Sequence, residues 1–218
     1  MHIDALTTAA LTAELRARAV GARVQDVVQI DRLTVSLELY RGDRHYLVLS
    51  ADPQAEGLRL TPHKPRRGDT PSSPLALALA AHAEGRRLGA VDHPEGERIL
   101  IFTFDADPPV RLVAELTGRL ANLVLTGADG VILALARPVT AAMTRARVLL
   151  PGRPYLPPPT QLKALPTAVT VADVAGWLAA RPDDLAAQLV VARMRGMGPL
   201  AAREAVARAA GDPAATAA

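Results

Sequence analysis

Arginine is the side chain with the most chemistry to offer in this sequence. Lys and Arg together number 25, and only Lys64 and Lys163 are lysines. The guanidinium is a planar five-donor fork that matches phosphate and the edge of a guanine base. Arg98 opens the apolar run Ile99-Leu100-Ile101-Phe102, so the core would fix its backbone. It could meet a phosphate or a base edge, or simply be a solvated arginine at a strand start. Glu97 beside it cannot attract phosphate; its useful work would be accepting hydrogen bonds from a base or orienting an arginine. Neighbours in a strand face opposite ways, so the two serve one ligand only from the turn before the strand. Arg119 follows Gly118 between two expected strands and either holds a sheet edge or touches a ligand. Arg147 and Arg153 flank the start of a proline-rich stretch and could extend a basic surface, as could Lys64, Arg66 and Arg67. Gly196-Met197-Gly198 reads as a hairpin between helices. Backbone N–H groups at the start of the following helix can bind phosphate there, or the hairpin is structural.

Other chemistries are poorly supplied. There are no cysteines, which removes disulfides, thiolate catalysis and cysteine-ligated zinc. His2, His45, His63, His82 and His93 have no metal-ligand spacing. No G-x-S-x-G, P-loop or H-E-x-x-H string occurs. The expectation is therefore no catalytic residue, no metal and no cofactor. A net charge of +3 is weak evidence for a polyanionic partner. No apolar run of membrane-spanning length is present, and Asp4 stands where a signal peptide needs positive charge, so a cytoplasmic protein with no membrane partner is expected. Two Arg-Gly-Asp tripeptides, at 41–43 and 67–69, fall where turn chemistry accounts for them.

These residues need elements to hold them. A helix is expected over about 5–19, with Asp4 as its N-cap and Gly21 ending it. Leu33, Val35, Leu37 and Leu39 alternate with Thr34, Ser36, Glu38 and Tyr40, predicting a strand with one buried and one wet face. Arg41-Gly42-Asp43 turns into a strand over 45–50, and 58–60 adds another. Residues 61–73 form a polar, proline-containing loop. A helix follows from Pro74 to about Glu84, then strands near 86–92, 97–104, 111–117, 121–126 and 131–136. The organisation expected is an α+β domain over 1–150, a stiff Pro-rich linker over 151–168, a small all-α helix-hairpin-helix domain over 169–210 and a disordered tail over 211–218. Within the helical part, Thr170 and Asp173 form a capping box, Pro182 starts a second helix, and Pro199 starts a third.

Several strings together resemble the NFACT family of ribosome quality-control proteins (the RqcH type, also known as fibronectin-binding protein A). They are Asp4–Leu15, Leu47–Leu60, the E-L-x-G-R-x-x-N pattern of 115–122, L-P-G-R-P-Y-L-P-P-P at 150–159 and M-G-P-L-A-A-R-E at 197–204. They occur in family order along nearly the whole chain. The resemblance implies an N-terminal β-sandwich with flanking helices, similar to the N-terminal domain of formamidopyrimidine-DNA glycosylase, then a helix-hairpin-helix domain. It implies binding of tRNA, with alanyl-tRNA expected, and of the large ribosomal subunit carrying peptidyl-tRNA, hence contact with rRNA. The implied task is template-free alanine tailing of stalled nascent chains. Family tRNA-linked positions fall on Asp4 and on Glu97-Arg98, where the family has Asp-Arg. Arg119 and Arg147 are added as tRNA contacts, and Gly196 and Gly198 as a phosphate-binding hairpin. The glycosylase nucleophile, an N-terminal proline followed by glutamate, has no counterpart in Met1-His2, so no enzyme is expected. A surface adhesin binding fibronectin is the alternative reading. Relatives continue into a coiled coil and a further C-terminal domain; this chain is read as a truncated piece or a short variant.

Overall fold

The computed structural model describes residues 3–55, 57–144 and 146–217. The fold is α+β, with two antiparallel sheets and five α-helices among the described residues. Helix α1 (Ala5–Arg18) leads into strands β1 (Arg23–Asp31), β2 (Thr34–Arg41), β3 (Asp43–Ser50) and β4 (Gly57–Thr61), which pair in that order. Helix α2 (Pro74–Ala83) precedes a second sheet of β5 (Leu88–Asp92), β6 (Ile99–Phe104), β7 (Val110–Glu115), β8 (Asn122–Thr126) and β9 (Ile132–Leu135), again in sequence order. Helices α3 (Val171–Ala180), α4 (Ala186–Arg193) and α5 (Pro199–Ala210) complete the chain.

The chain divides into two units. The larger comprises residues 1–3, 10–94 and 98–159; the smaller comprises 4–9, 95–97 and 160–218. In the larger unit, Leu37, Leu39, Leu47 and Leu49 of the first sheet share one buried cluster with Leu100, Phe102, Leu112, Leu123 and Leu125 of the second. Leu15 and Ala19 of α1 and Leu75 and Leu79 of α2 join it. The outer face of the second sheet has its own cluster, with Ile99, Val113, Val124, Ile132 and Leu149. Strand β6 is thus apolar on both faces, which is why its sequence runs without alternation.

The alternation in β2 predicts a wet face, and the structure corrects this. Thr34, Ser36 and Glu38 are 7%, 0% and 5% exposed. The loop 61–73 accounts for it. Lys64 reaches Glu38 at 3.3 Å and Asp26 at 3.8 Å, Gly68 donates its N–H to the Gln29 carbonyl, and Ser73 donates to the buried Gln29 amide oxygen. Alternation reports which residues are polar, and a tertiary loop decides whether the polar side meets water.

Three further expectations change. Residues 151–159 are not a free linker: Pro154 bridges Val131, Ile132 donates its N–H to the Arg153 carbonyl, and Tyr155 donates its N–H to the Gly130 carbonyl. Proline's missing donor does not prevent its neighbours from pairing. No helix starts at Pro182; α4 begins at Ala186, because 184–186 pair with 215–217. That pairing also orders residues 211–217, for which the sequence predicts a disordered tail; Ala215 packs against the α4–α5 cluster. Ala218 lies outside the described residues. The capping box at Thr170 and Asp173 is present, and its hydrogen bonds from the Thr170 hydroxyl and N–H lower the Asp173 pKa.

Gly68 tests the loop's role. A Cβ there would sit 2.0 Å from the Ile30 carbonyl oxygen, whereas at Gly57 it would meet nothing within 4 Å. Gly68→Ala is expected to cost about 1–3 kcal/mol and to lower the melting temperature by several degrees. Gly57→Ala should stay within about 0.5 kcal/mol. Thermal denaturation of both variants checks the contrast.

Candidate nucleic-acid interface

In the smaller unit, three chain segments meet at glycines packed closely against their neighbours. The first is Asp4-Ala5, where the Asp4 Oδ1 accepts the Thr7 N–H at 2.8 Å and so caps α1. The second is Gly96, with φ +73°. The third is the 194–198 turn between α4 and α5. A Cβ at Gly196 would lie 2.6 Å from the Ala5 Cβ and 2.9 Å from the Gly96 carbonyl oxygen. At Gly198 it would lie 3.1 Å from the Asp4 Cβ and from the Asp4 Oδ2. At Gly96 it would lie 2.7 Å from the Arg195 Cδ. At Gly196 the approach excludes a Cβ, at Gly198 Asp4 would have to give by a few tenths of an ångström, and at Gly96 and Gly196 the positive φ itself favours glycine.

This geometry corrects the phosphate reading of Gly196 and Gly198. Gly198 is the buried N-cap of α5, and the Asp4 carboxylate already lies against it. A carboxylate is favourable at a helix N-terminus and repels a second anion. The hairpin glycines therefore serve packing, and Asp4 serves two helix starts: α1 through Oδ1 and α5 by proximity.

The junction also holds unspent hydrogen-bonding capacity. Of four buried side-chain atoms without a partner among the described residues, two belong to this unit: Glu97 Oε1 and Arg195 Nε. Arg195 donates through Nη2 to the Gln161 carbonyl at 3.0 Å and packs on Gly96, the residue before Glu97. Buried polar atoms are nearly always paired, so Glu97 and Arg195 retain an acceptor and a donor with capacity for a further partner. Glu97 was legible in the sequence. Arg195 was not: it looks like a helix-end arginine until Gly96 is packed against it.

The larger unit holds the remaining candidates. Arg98 immediately precedes β6, and its carbonyl accepts the Leu116 N–H. Its side chain is half-buried, with Nη1 3.4 Å from the Ile3 carbonyl oxygen. Arg119 is exposed in a single 3-10 turn, 118–120, and its carbonyl accepts from Arg137.

Arg147 is a correction. Its side chain is only 10% exposed and makes two 2.6 Å bonds to Glu115, which is fully buried. Arg147 also donates to the Leu156 carbonyl, and the Tyr155 hydroxyl donates to Glu115 at 2.7 Å. Burial, then the charge of Glu115, raises the Tyr155 pKa above its ordinary value. Burial works against the charged Arg147, but Glu115 and Tyr155 outweigh it and its pKa is raised. A guanidinium so committed is no phosphate contact. The E-L-x-G-R-x-x-N string is structural here: Glu115 holds Arg147, Gly118 takes φ +69°, and the Asn122 amide bonds both backbone groups of Arg137.

The two Arg-Gly-Asp strings are likewise tied into the larger unit. Arg41 donates to the Val20 carbonyl at 2.7 Å, and Gly68 is packed against Ile30. Among the described residues no helix is long and apolar enough to cross a membrane.

The model of the NFACT N-terminal and middle domains matches residues 4–218. The chain is 30% identical over 219 residues to the Rqc2 homolog RqcH of Bacillus subtilis, covering 96% of this chain and 38% of that protein. It is 32% identical over 146 residues to ribosome quality control complex subunit 2 of Schizosaccharomyces pombe, covering 64% of this chain and 14% of that protein. The chain thus spans under two fifths of the length of these relatives. In fold it is similar to the N-terminal domain of the fibronectin-binding protein PavA from Streptococcus pneumoniae, with a TM-score of 0.83 at 23% identity, over 96% of this chain and 84% of that one. The N-terminal part of the fibronectin/fibrinogen-binding protein of Streptococcus suis gives a TM-score of 0.81 at 23% identity, over 92% and 77%.

The buried pair supplies a test. Arg147→Ala leaves Glu115 charged and unpaired, so a loss of about 3–5 kcal/mol is expected. Arg119→Ala, at an exposed side chain, should change stability by under about 0.5 kcal/mol. The double variant Glu115→Gln with Arg147→Met should recover much of the loss, because it removes both charges. Denaturant titration of the three decides whether Arg147 is structural.

Proposed function

The chain belongs to the NFACT family, and on that premise we propose that it is the tRNA-binding part of a ribosome quality-control factor. In this reading it works by binding and not by catalysis, in the cytoplasm, on large ribosomal subunits that hold a stalled peptidyl-tRNA. Alanyl-tRNA is its proposed cargo and alanine tailing the outcome. The names of its relatives support the quality-control setting, and α4, the 194–198 turn and α5 are read as the family's helix-hairpin-helix.

The observation that carries the tRNA reading is the unpartnered buried oxygen of Glu97. A carboxylate oxygen held away from water without a donor costs free energy, and a ligand that brings an N–H recovers it. The amino groups of nucleobases are such donors, and carboxylates accept from cytosine in this way. Arg195 Nε, also unpartnered, offers the complementary donor. Arg98, next in sequence and part of the larger unit, is proposed on its own account as a phosphate or base-edge contact. Asp4 acts at one remove, by holding the starts of α1 and α5. The adhesin reading draws on the names of the solved relatives, but Arg41 and Gly68 of the two Arg-Gly-Asp strings are engaged within the fold.

Binding of labelled tRNA at several salt concentrations tests this. Arg98→Ala and Glu97→Gln should each weaken binding by about 1.5–3 kcal/mol, roughly tenfold or more. Arg98→Ala should also flatten the dependence of log K on log salt, and Glu97→Gln should not. Arg98→Lys should recover part of the loss, since a point charge cannot reproduce a fork. Parent-like affinity in both variants, with parent-like melting temperatures, would refute both contacts.

A further inference from the structure

One row of side chains on the larger unit is used by none of the above. Arg87, just before β5, bridges Arg23 of β1; Arg23 is in register with Tyr40 of β2; and Tyr40 is in register with Arg44 of β3. Residues directly opposite in antiparallel pairs share a face. Three guanidinium groups and one phenol therefore stand in a single line across four consecutive strand segments. Adjacent strands are about 4.8 Å apart, so the line spans roughly 14 Å.

The row is open and cationic. Tyr40 is 46% exposed, Arg44 keeps 67% of its side-chain surface, and Arg23 and Arg87 are exposed. Among the described residues, Arg23 and Arg87 make no ion pair, and Arg44 shares the buried Glu38 with Lys64. The fold holds some of this charge in place. Arg87 donates to the Gly21 carbonyl at 2.8 Å, just beyond the C-terminal end of α1. Arg41, next to Tyr40, donates to the Val20 carbonyl one residue earlier. The negative end of the helix dipole and these free carbonyls stabilise guanidinium groups that would otherwise repel one another. The cost of gathering like charges is met within the fold before any ligand arrives.

We propose that the Arg87–Arg23–Tyr40–Arg44 row binds an unpaired nucleic-acid strand, with a base stacked on Tyr40 and phosphates on the flanking arginines. An exposed aromatic ring between cations is the arrangement that serves a single strand, because every base has a π-face and every nucleotide a charge. An acidic peptide would use the arginines and leave the ring idle. At about 3.4 Å per stacked nucleotide the row accommodates roughly four. The surface is distinct from Glu97 and Arg98, and the choice of RNA as its natural strand rests on the tRNA reading above.

The test uses the full chain with fluorescent twelve-residue oligouridylate and oligothymidylate, read by anisotropy. Tyr40→Ala should weaken oligouridylate binding about tenfold, and Tyr40→Phe should retain it, since stacking needs only the ring. Arg23→Gln combined with Arg87→Gln should reduce affinity and lower the salt slope by roughly 1.4, the value for two phosphate contacts on a single strand. Comparable binding of the thymidylate strand fits, because neither the ring nor the guanidinium groups read the 2′-hydroxyl. All four side chains are exposed, so melting temperatures should match the parent. Parent-like binding by Tyr40→Ala overturns the proposal, as does displacement of oligouridylate by polyglutamate at equal charge concentration. If Tyr40→Ala is silent while Arg98→Ala still weakens tRNA binding, this surface is refuted and the tRNA site stands. If oligouridylate needs Tyr40 while tRNA does not bind, the reverse holds.

Discussion

The smaller unit depends on a constraint of exclusion: where Asp4-Ala5, Gly96 and the 194–198 turn meet, a Cβ added at Gly96 or Gly196 would overlap a neighbour and one at Gly198 would crowd Asp4. Gly196 packs against the Gly96 backbone and the Ala5 Cβ, Gly96 against the Arg195 and Leu165 side chains, and Gly198 against the Asp4 side chain. Residues 4–9, 95–97 and 160–218 are far apart in sequence yet form one compact unit. Asp4 fits this arrangement chemically as well as sterically, because one carboxylate sits at two helix N-termini, each with unsatisfied N–H groups and positive partial charge. A longer acid would hold its carboxyl in a different place, and an apolar residue would leave both helix starts without their anion.

Among its described residues, the larger unit pairs its buried charge. Glu115 is fully buried yet takes two bonds from Arg147 and one from Tyr155. Such a group contributes little net stability over an apolar substitute, but it punishes the loss of either partner. Its effect is to fasten 147–156 to the end of β7, so the proline-rich stretch is held as part of the larger unit. Glu97 and Arg195 are the contrast. They carry the same two chemistries, carboxylate and guanidinium, but each keeps a buried atom without a partner. The first arrangement is closed by its own partners, and the second leaves one acceptor and one donor unpaired.

Arginines in this protein accordingly fall into groups that the sequence does not distinguish. Arg147 is consumed by a carboxylate, Arg41 and Arg87 are held by carbonyls beyond the end of α1 while staying exposed, and Arg23 and Arg44 face outward beside Tyr40, Arg44 leaning on Glu38. A composition-level charge of +3 says nothing about this. What matters is which guanidinium groups are held in place while still exposed, since those offer charge to a polyanion without first losing conformational freedom.

Sequence alone determined most of the local structure. The first helix, expected over about 5–19 and found over 5–18, the turn at Gly42, the nine-strand pattern except β1, the capping box at Thr170 and the glycine hairpin follow from periodicity and turn chemistry, which act over a few residues. It also singled out Asp4, Glu97 and Arg98, through strings that resemble a family. Tertiary structure decided the rest. It buried the polar face of β2 under the 61–73 loop, fixed 151–159 against β9, began α4 at Ala186 instead of Pro182, and ordered 211–217. It turned Arg147 from a surface cation into a buried partner, and the hairpin glycines from anion binders into spacers. Each of these outcomes depends on what lies across space from a residue, and neither residue type nor local period encodes that. A side chain's chemistry is written in its sequence position, but whether that chemistry is spent or available is set by its neighbours after folding.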